Sequence, residues 1–251
     1  MSESHQDHIA ALQAELQAMR AEMQDFTYTV SHDLRASLRH ILAYAELVQE
    51  DAGDQLQADV RAHLDTITSA ARNMGVLMDG LMELSRLSTV SMHCVPLELG
   101  SLVHEVCAVI RANQAEREIE WRIAQDFPLV QADGDLLRQA LLHVMGNAFK
   151  FTKPREQAVV ELGWELSPDA AEPAGIGQIT LFVRDNGVGF NPAMQSKLFR
   201  VFQRLHSPRQ FEGVGIGLAL TRKIIERHGG AVAAQGVIDG GCCVRLQLPK
   251  A

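Results

Sequence analysis

An all-α helical hairpin followed by an α+β sandwich, a mixed sheet with helices on one face, is the fold class that the sequence predicts. Three observations predict it. Of the 251 residues, the first 95 carry 14 acidic and 6 basic side chains, no proline and three glycines (Gly53, Gly75, Gly80). The remainder carries 17 of each charge, all eight prolines and the other sixteen glycines, so the whole net charge of −8 sits in the first part. Apolar residues recur at helical spacing over two long runs in that first part, whereas the second alternates short strand-like runs with amphipathic helices.

Composition narrows the class further. With 22% charged and 47% hydrophobic residues the chain suits a globular protein and not a disordered, collagenous or disulfide-stapled one. No run approaches 18 apolar residues and the start, MSESHQDHIA, lacks the pattern of a signal peptide, so no membrane span is expected and the expected location is cytoplasmic. Cys94, Cys107, Cys242 and Cys243 form no C-x-x-C pair and have no histidine at zinc spacing, which makes them small hydrophobes in expectation. An acidic first part with no lysine before Lys150 argues against nucleic acid as a partner.

The elements follow in chain order. Ile9, Leu12, Leu16, Met19, Met23, Phe26 and Val30 recur at 3, 4, 3, 4, 3, 4, the seam of a coiled coil. Leu34, Leu38, Ile41, Ala45 and Val48 continue it with two extra four-residue steps, a stutter that predicts local unwinding. After a break at residues 50–54, Val60, Leu64, Ile67, Ala71, Met74, Met78 and Leu81 form a second stripe, which predicts an antiparallel hairpin. One hairpin leaves too much apolar surface open at about 25 cal/mol per Å², so the stripe predicts a homodimeric four-helix bundle. His32 lies two residues past Val30, about 200° round the helix, and therefore faces solvent.

Beyond Pro96 the expected elements are a strand over 95–99, a helix capped by Ser101 through about Asn113, and a strand over 119–123. Asp133 opens an amphipathic helix, 158–166 and 178–183 make an antiparallel pair around a turn-rich SPDAAEPAGIG, 217–227 is helical, and 231–235 and 244–248 close the sheet. Asp185-Asn186-Gly187-Val188-Gly189 follows a strand directly. A carboxylate there can accept from an exocyclic amine while glycines admit a ring, although D-N-G also suits an ordinary hairpin turn. Gly213-Val214-Gly215-Ile216-Gly217 runs into a helix whose N-terminus favours phosphate.

In combination the motifs resemble the sensor histidine kinases. Asn147, Lys150, Asp185, Gly187, Gly189, Phe199, Phe202, Gly213, Gly215 and Gly217 stand in the order of that family's N, G1, F and G2 boxes, and FTYTVSHDLRASLRHILAYAELVQED is similar to its H box, in the form of the bacteriophytochrome-like branch. The resemblance runs from Phe26 to Pro249. It implies a coiled-coil extension over 1–25, a dimerisation and phosphotransfer domain over 26–94, and a catalytic ATP-binding domain of the Bergerat (GHKL) type over 95–251. His32 would be the phosphoacceptor, attacking the γ-phosphate of ATP, and the group would pass to an aspartate of a response-regulator receiver. Asp33 would orient the imidazole or accept its proton as a general base, through a tilted rotamer because neighbouring helix positions do not face each other. Asn147 would ligate Mg2+, Lys150 would meet phosphate, Asp185 the adenine amine, and Arg204 the γ-phosphate from a lid over about 190–213. With about 25 residues before the H box, the signal is expected from an upstream sensory domain or protein.

The sequence departs from the family at four places. Ser37 stands for the usual proline, which predicts a straighter bundle; His143 stands for the first of two N-box asparagines; Gly240-Gly241-Cys242-Cys243 lacks the usual hydroxyl; and Ala36 lacks a phosphatase-type side chain. Net phosphatase action, or a nucleotide-gated dimeric scaffold with weak turnover, are the alternatives to a kinase. Arg35 and Arg39 share the His32 face, either to attract phosphate or as a solvated surface.

Overall fold

The computed structural model describes residues 2–53, 56–112, 117–166, 177–207 and 210–251, and divides into two compact units, residues 1–89 and 90–251. The expected helix end at Asn113, Asp54 of the break, most of the SPDAAEPAGIG turn and the side chains of Ile9 and Leu16 lie outside the described residues.

The first unit is two helices, α1 (Ser2–Ala52) and α2 (Ala58–Arg86). They run antiparallel, since cross-helix pairs fall on α2 as they climb on α1: Arg35 with Asp79, Arg72 with Glu46, Gln49 with Asp65. Arg61 donates to the Gly53 carbonyl and ties the turn. Leu38, Ala71 and Met78 are buried between the helices with Leu42 against them. The helical hydrogen bonding of α1 is continuous, so the unwinding expected at the stutter does not take the form of a break. The long seam stays open within one chain: Leu12, Met19, Met23, Phe26, Leu34, Ile41, Ile67 and Met74 are all exposed.

The second unit contains β1 (Val95–Glu98), α3 (Leu99–Ala112), β2 (Ile119–Ile123), β3 (Leu129–Ala132), α4 (Gly134–Phe151), β4 (Ala158–Leu166), β5 (Gln178–Asp185), a 3-10 turn (Pro192–Lys197), α5 (Gly217–Arg227), β6 (Val232–Val237) and β7 (Gly241–Pro249). The main sheet has the order β2-β4-β5-β7-β6, parallel only between β2 and β4. Two expectations are corrected. Ser101 does not cap α3, which already starts at Leu99; its hydroxyl lies inside the first turn and donates to Glu98. β3 was not expected, and it pairs antiparallel with β1 as a separate two-stranded sheet.

Alternation decides which face of the main sheet is covered. Ile179, Leu181 and Val183 on β5 and Val244, Leu246 and Leu248 on β7 point into one core. Leu102, Val103, Val106 and Ile110 of α3, Leu137, Leu141, Val144 and Met145 of α4 and Ile225 of α5 fill the same core. The opposite face carries Phe182 and the cross-strand ion pairs Arg184–Glu161 and Arg245–Glu165.

Candidate active site

Asp185 continues the inward register of Ile179, Leu181 and Val183, so its carboxylate is delivered to the core side at the end of β5. It is 8% exposed. Oδ1 accepts from the backbone N–H of Gly187 at 2.8 Å and of Cys242 at 3.3 Å, and among the described residues no hydrogen bond reaches Oδ2. Burial raises its pKa from the ordinary 3.8 to about 6, against the opposing pull of the two N–H groups and of the Arg155 charge. A buried carboxyl with one committed and one open oxygen is the arrangement of a binding group.

The turn beyond it is made by glycine for reasons within the chain. Gly189 has φ +59° and a Cβ there would overlap the Val237 carbonyl. A Cβ at Gly187 would stand only 2.5 Å from the Phe151 carbonyl oxygen, too close for any side chain. The second glycine loop is alike: Gly215 has φ +77°, its carbonyl accepts from the N–H of Phe202, and a Cβ would stand 2.5 Å from the Gln203 carbonyl. Gly217 begins α5 and lies against the His143 ring, while Gly213, at φ +114°, lies beside Lys150 Nζ.

The cations converge from two elements. Lys150, in the last turn of α4, rests its Nζ 4.5 Å from the centre of the Phe151 ring, and its pKa is lowered by burial and by the charge of Arg204, with Glu212 opposing. Arg204 donates to the Phe211 carbonyl at 2.6 Å. Asn147, half-buried, precedes Lys150 by one turn of α4. Phe199 packs on the core, whereas Phe202 is exposed with φ +62°. Among the described residues no group of three His, Cys, Asp or Glu side chains could hold a metal ion.

In the first unit His32 is exposed, with Nδ1 3.2 Å from Asp33 Oδ1, so the two side chains meet although they are neighbours on the helix. Ser37 Oγ donates to the Asp33 carbonyl at 3.3 Å, and the helix is uninterrupted there. Arg35 does not share a free face with His32: its guanidinium is committed to Asp79 at 2.5 Å and to Met82, so it braces α1 on α2.

Two family models match the chain. The His Kinase A (phospho-acceptor) domain covers residues 22–89, and the histidine kinase-, DNA gyrase B-, and HSP90-like ATPase covers residues 132–251. The chain is a sensor histidine kinase transmitter module. The module is 31% identical over 236 residues to cyanobacterial phytochrome B of Nostoc sp., covering 94% of this chain and 30% of that protein. It is 33% identical over 239 residues to the methanogenesis regulatory histidine kinase FilI of Methanothrix harundinacea, covering 94% of this chain and 25% of that protein. The transmitter module thus spans under a third of the length of these curated relatives. The crystal structure of histidine kinase ThkA in complex with response regulator protein TrrA shares its fold, with a TM-score of 0.62 at 17% identity over 92% of this chain and 64% of that one. No described helix of the module is long and apolar enough to cross a membrane.

Three further residues shape the turns around Asp185. His206 Nε2 lies 2.9 Å from the Gly189 carbonyl and its ring meets Phe151 and Phe211. Asn186 ties the turn to the start of β4, accepting from Val159 N–H and donating to the Gln157 carbonyl. Arg155 grips the same turn from the far side. Only Asn186 lay inside a recognised motif; the other two are brought in by packing.

Proposed function

We propose that this module is an ATP-dependent histidine autokinase of a two-component system, acting in the cytoplasm as a homodimer. Residues 1–25 serve as a coiled-coil extension toward an upstream sensory domain or protein, 26–94 as the dimerisation and phosphotransfer domain, and 95–251 as the ATP-binding domain. The observation that carries the reading is an exposed imidazole held by its neighbouring carboxylate, in a chain whose other unit buries a carboxylate with one open oxygen beside a glycine loop.

With Nδ1–H donating to Asp33, the imidazole lone pair is on Nε2. That nitrogen attacks the γ-phosphorus; an N–P bond forms as the bond from phosphorus to the bridging oxygen breaks, and ADP leaves with the electron pair. Asp33 then stabilises the imidazolium. In a second step a receiver aspartate oxygen attacks phosphorus and the imidazole leaves. Asp185 Oδ2 accepts from the adenine amine, Gly187 and Gly189 shape the floor under the base, and the loop Gly213–Gly217 offers N–H groups to phosphate at the start of α5. Lys150 and Arg204 supply positive charge to the phosphates, and Phe199 and Phe202 anchor the lid at either side of its turn. The Asn147 amide oxygen would help hold Mg2+, which would supply positive charge to the phosphates.

Incubation of the chain with γ-labelled ATP and Mg2+ is expected to give acid-labile, alkali-stable label that is absent in His32→Gln, retained in Cys94→Ala, and transferable to a receiver domain. Label persisting in His32→Gln contradicts the assignment.

A further inference from the structure

We propose that Arg155 is a positioning residue that aims Asp185: its guanidinium locks the backbone turn that orients the carboxylate, leaving Oδ2 directed at the ligand. The inference rests on the reading of Asp185 as the group that binds the nucleotide base.

Arg155 stands in the turn after α4, where its own N–H donates to the Thr152 carbonyl at 2.9 Å. Its Nε donates to the Asn186 carbonyl at 2.8 Å, and Nη2 donates to the carbonyls of Gly187 at 3.0 Å and Asp239 at 2.7 Å. The first of these bonds matters most. The Asn186 carbonyl and the Gly187 N–H belong to one peptide unit, and in a trans peptide they point in opposite directions. Arg155 holds the oxygen on one side, and the N–H on the other is the donor that Asp185 Oδ1 accepts at 2.8 Å. Rotation of that peptide is therefore opposed from both ends.

The bond to Asp239 governs the second donor. Asp239 is at the tip of the β6–β7 turn with φ +60°, and its N–H donates to the Val188 carbonyl at 2.8 Å. Gly241 then carries the chain past the Asp185 carbonyl into β7, where the N–H of Cys242 reaches Oδ1. Arg155 is thus the one side chain, among the described residues, that joins the end of α4 to both turns flanking the carboxylate. A planar fork with several donors suits three carbonyls in a way that an ammonium does not.

Charge adds a second, separable effect. The groups facing Asp185 are Arg155 from the turn after α4 and the Cys242 thiol from β7, with Asp239 beside Arg155. Arg155 is the cation of that set and favours the ionised carboxylate.

Titration of the full chain with ADP by calorimetry between pH 5 and 8 tests the proposal. Wild type should bind ADP more weakly as pH falls through about 6, because protonation removes the acceptor. Arg155→Met should weaken ADP on the order of tenfold at pH 7.5 and move the midpoint upward by about half a pH unit or more. Arg155→Lys restores the cation without the fork, so it should return the midpoint while the affinity stays several-fold weak, on the order of the loss of one charge-assisted hydrogen bond. Thermal melting reports folding of each variant. If Arg155→Met does not fold, Arg155→Lys decides: wild-type affinity in it overturns the proposal, as does an unshifted affinity and midpoint in a folded Arg155→Met. Asp185→Asn separates the two levels. ADP binding undiminished in Asp185→Asn means that the nucleotide reading of Asp185 has failed, whereas its loss there with unaltered Arg155 variants overturns the positioning role alone.

Discussion

Asp185 is buried at a cost to the fold. Its folded-state pKa of about 6 lies above the ordinary 3.8, so ionisation at neutral pH opposes folding by on the order of 3 kcal/mol, and that penalty is relieved as pH falls through about 6 toward 3.8. Asp185→Asn keeps an acceptor oxygen for Gly187 and Cys242 and removes the charge. Its thermal midpoint is expected to equal or exceed that of wild type while ADP binding is lost; a variant that melts well below wild type and still binds ADP contradicts this account. The sequence placed Asp185 at the end of a strand over 178–183; the structure extends β5 through Asp185, in step with Ile179, Leu181 and Val183, and so turns the carboxylate to the core. Arg155 was not legible, since its three acceptors lie 31 to 84 residues away and no spacing rule links them. Arg35 shows the same limit: helix periodicity put it beside His32, but only the approach of α2 revealed Asp79 as its partner.

At the scale of elements, the long helices and the main strands were legible because each is dictated by its own side-chain period. β3 was not: Phe127-Pro128-Leu129-Val130-Gln131-Ala132 is too short to show alternation, and Val130 and Ala132 become strand residues through pairing with β1. Ser101 misled because Leu99, at the end of β1, is wholly buried and already helical, which starts α3 before the serine. Glycines divide by neighbourhood. Gly189→Ala places a methyl on the Val237 carbonyl at a left-handed φ and should cost about 3 kcal/mol or more in chemical denaturation. Gly146→Ala, mid-helix in α4 with nothing within 4 Å of the added carbon, should instead stabilise by about 0.5–1 kcal/mol.

At the scale of the whole molecule, the first 95 residues are acidic and proline-free and leave one apolar stripe exposed in the single chain, the surface that the proposed homodimer would cover. Light scattering should give twice the 27.6 kDa chain mass, and Ile41→Asp with Ile67→Asp, two exposed residues lining one apolar groove of the hairpin, should give a single chain mass. A dimer unaffected by both charges means that the interface lies elsewhere. Of the seven phenylalanines between Phe149 and Phe211, Phe151 and Phe211 form an aromatic cluster with His206 beside the glycine turns. The sequence by itself determined the helical hairpin, the order of the main-sheet strands along the chain, the exposed His32 and a carboxylate at a strand end, because each is written within one element and its flanking residues. Only the tertiary structure decided the β1–β3 pairing, the Arg35–Asp79 brace and the Arg155 grip on two turns, because hydrogen bonds between distant segments depend on which acceptors packing brings within bonding distance.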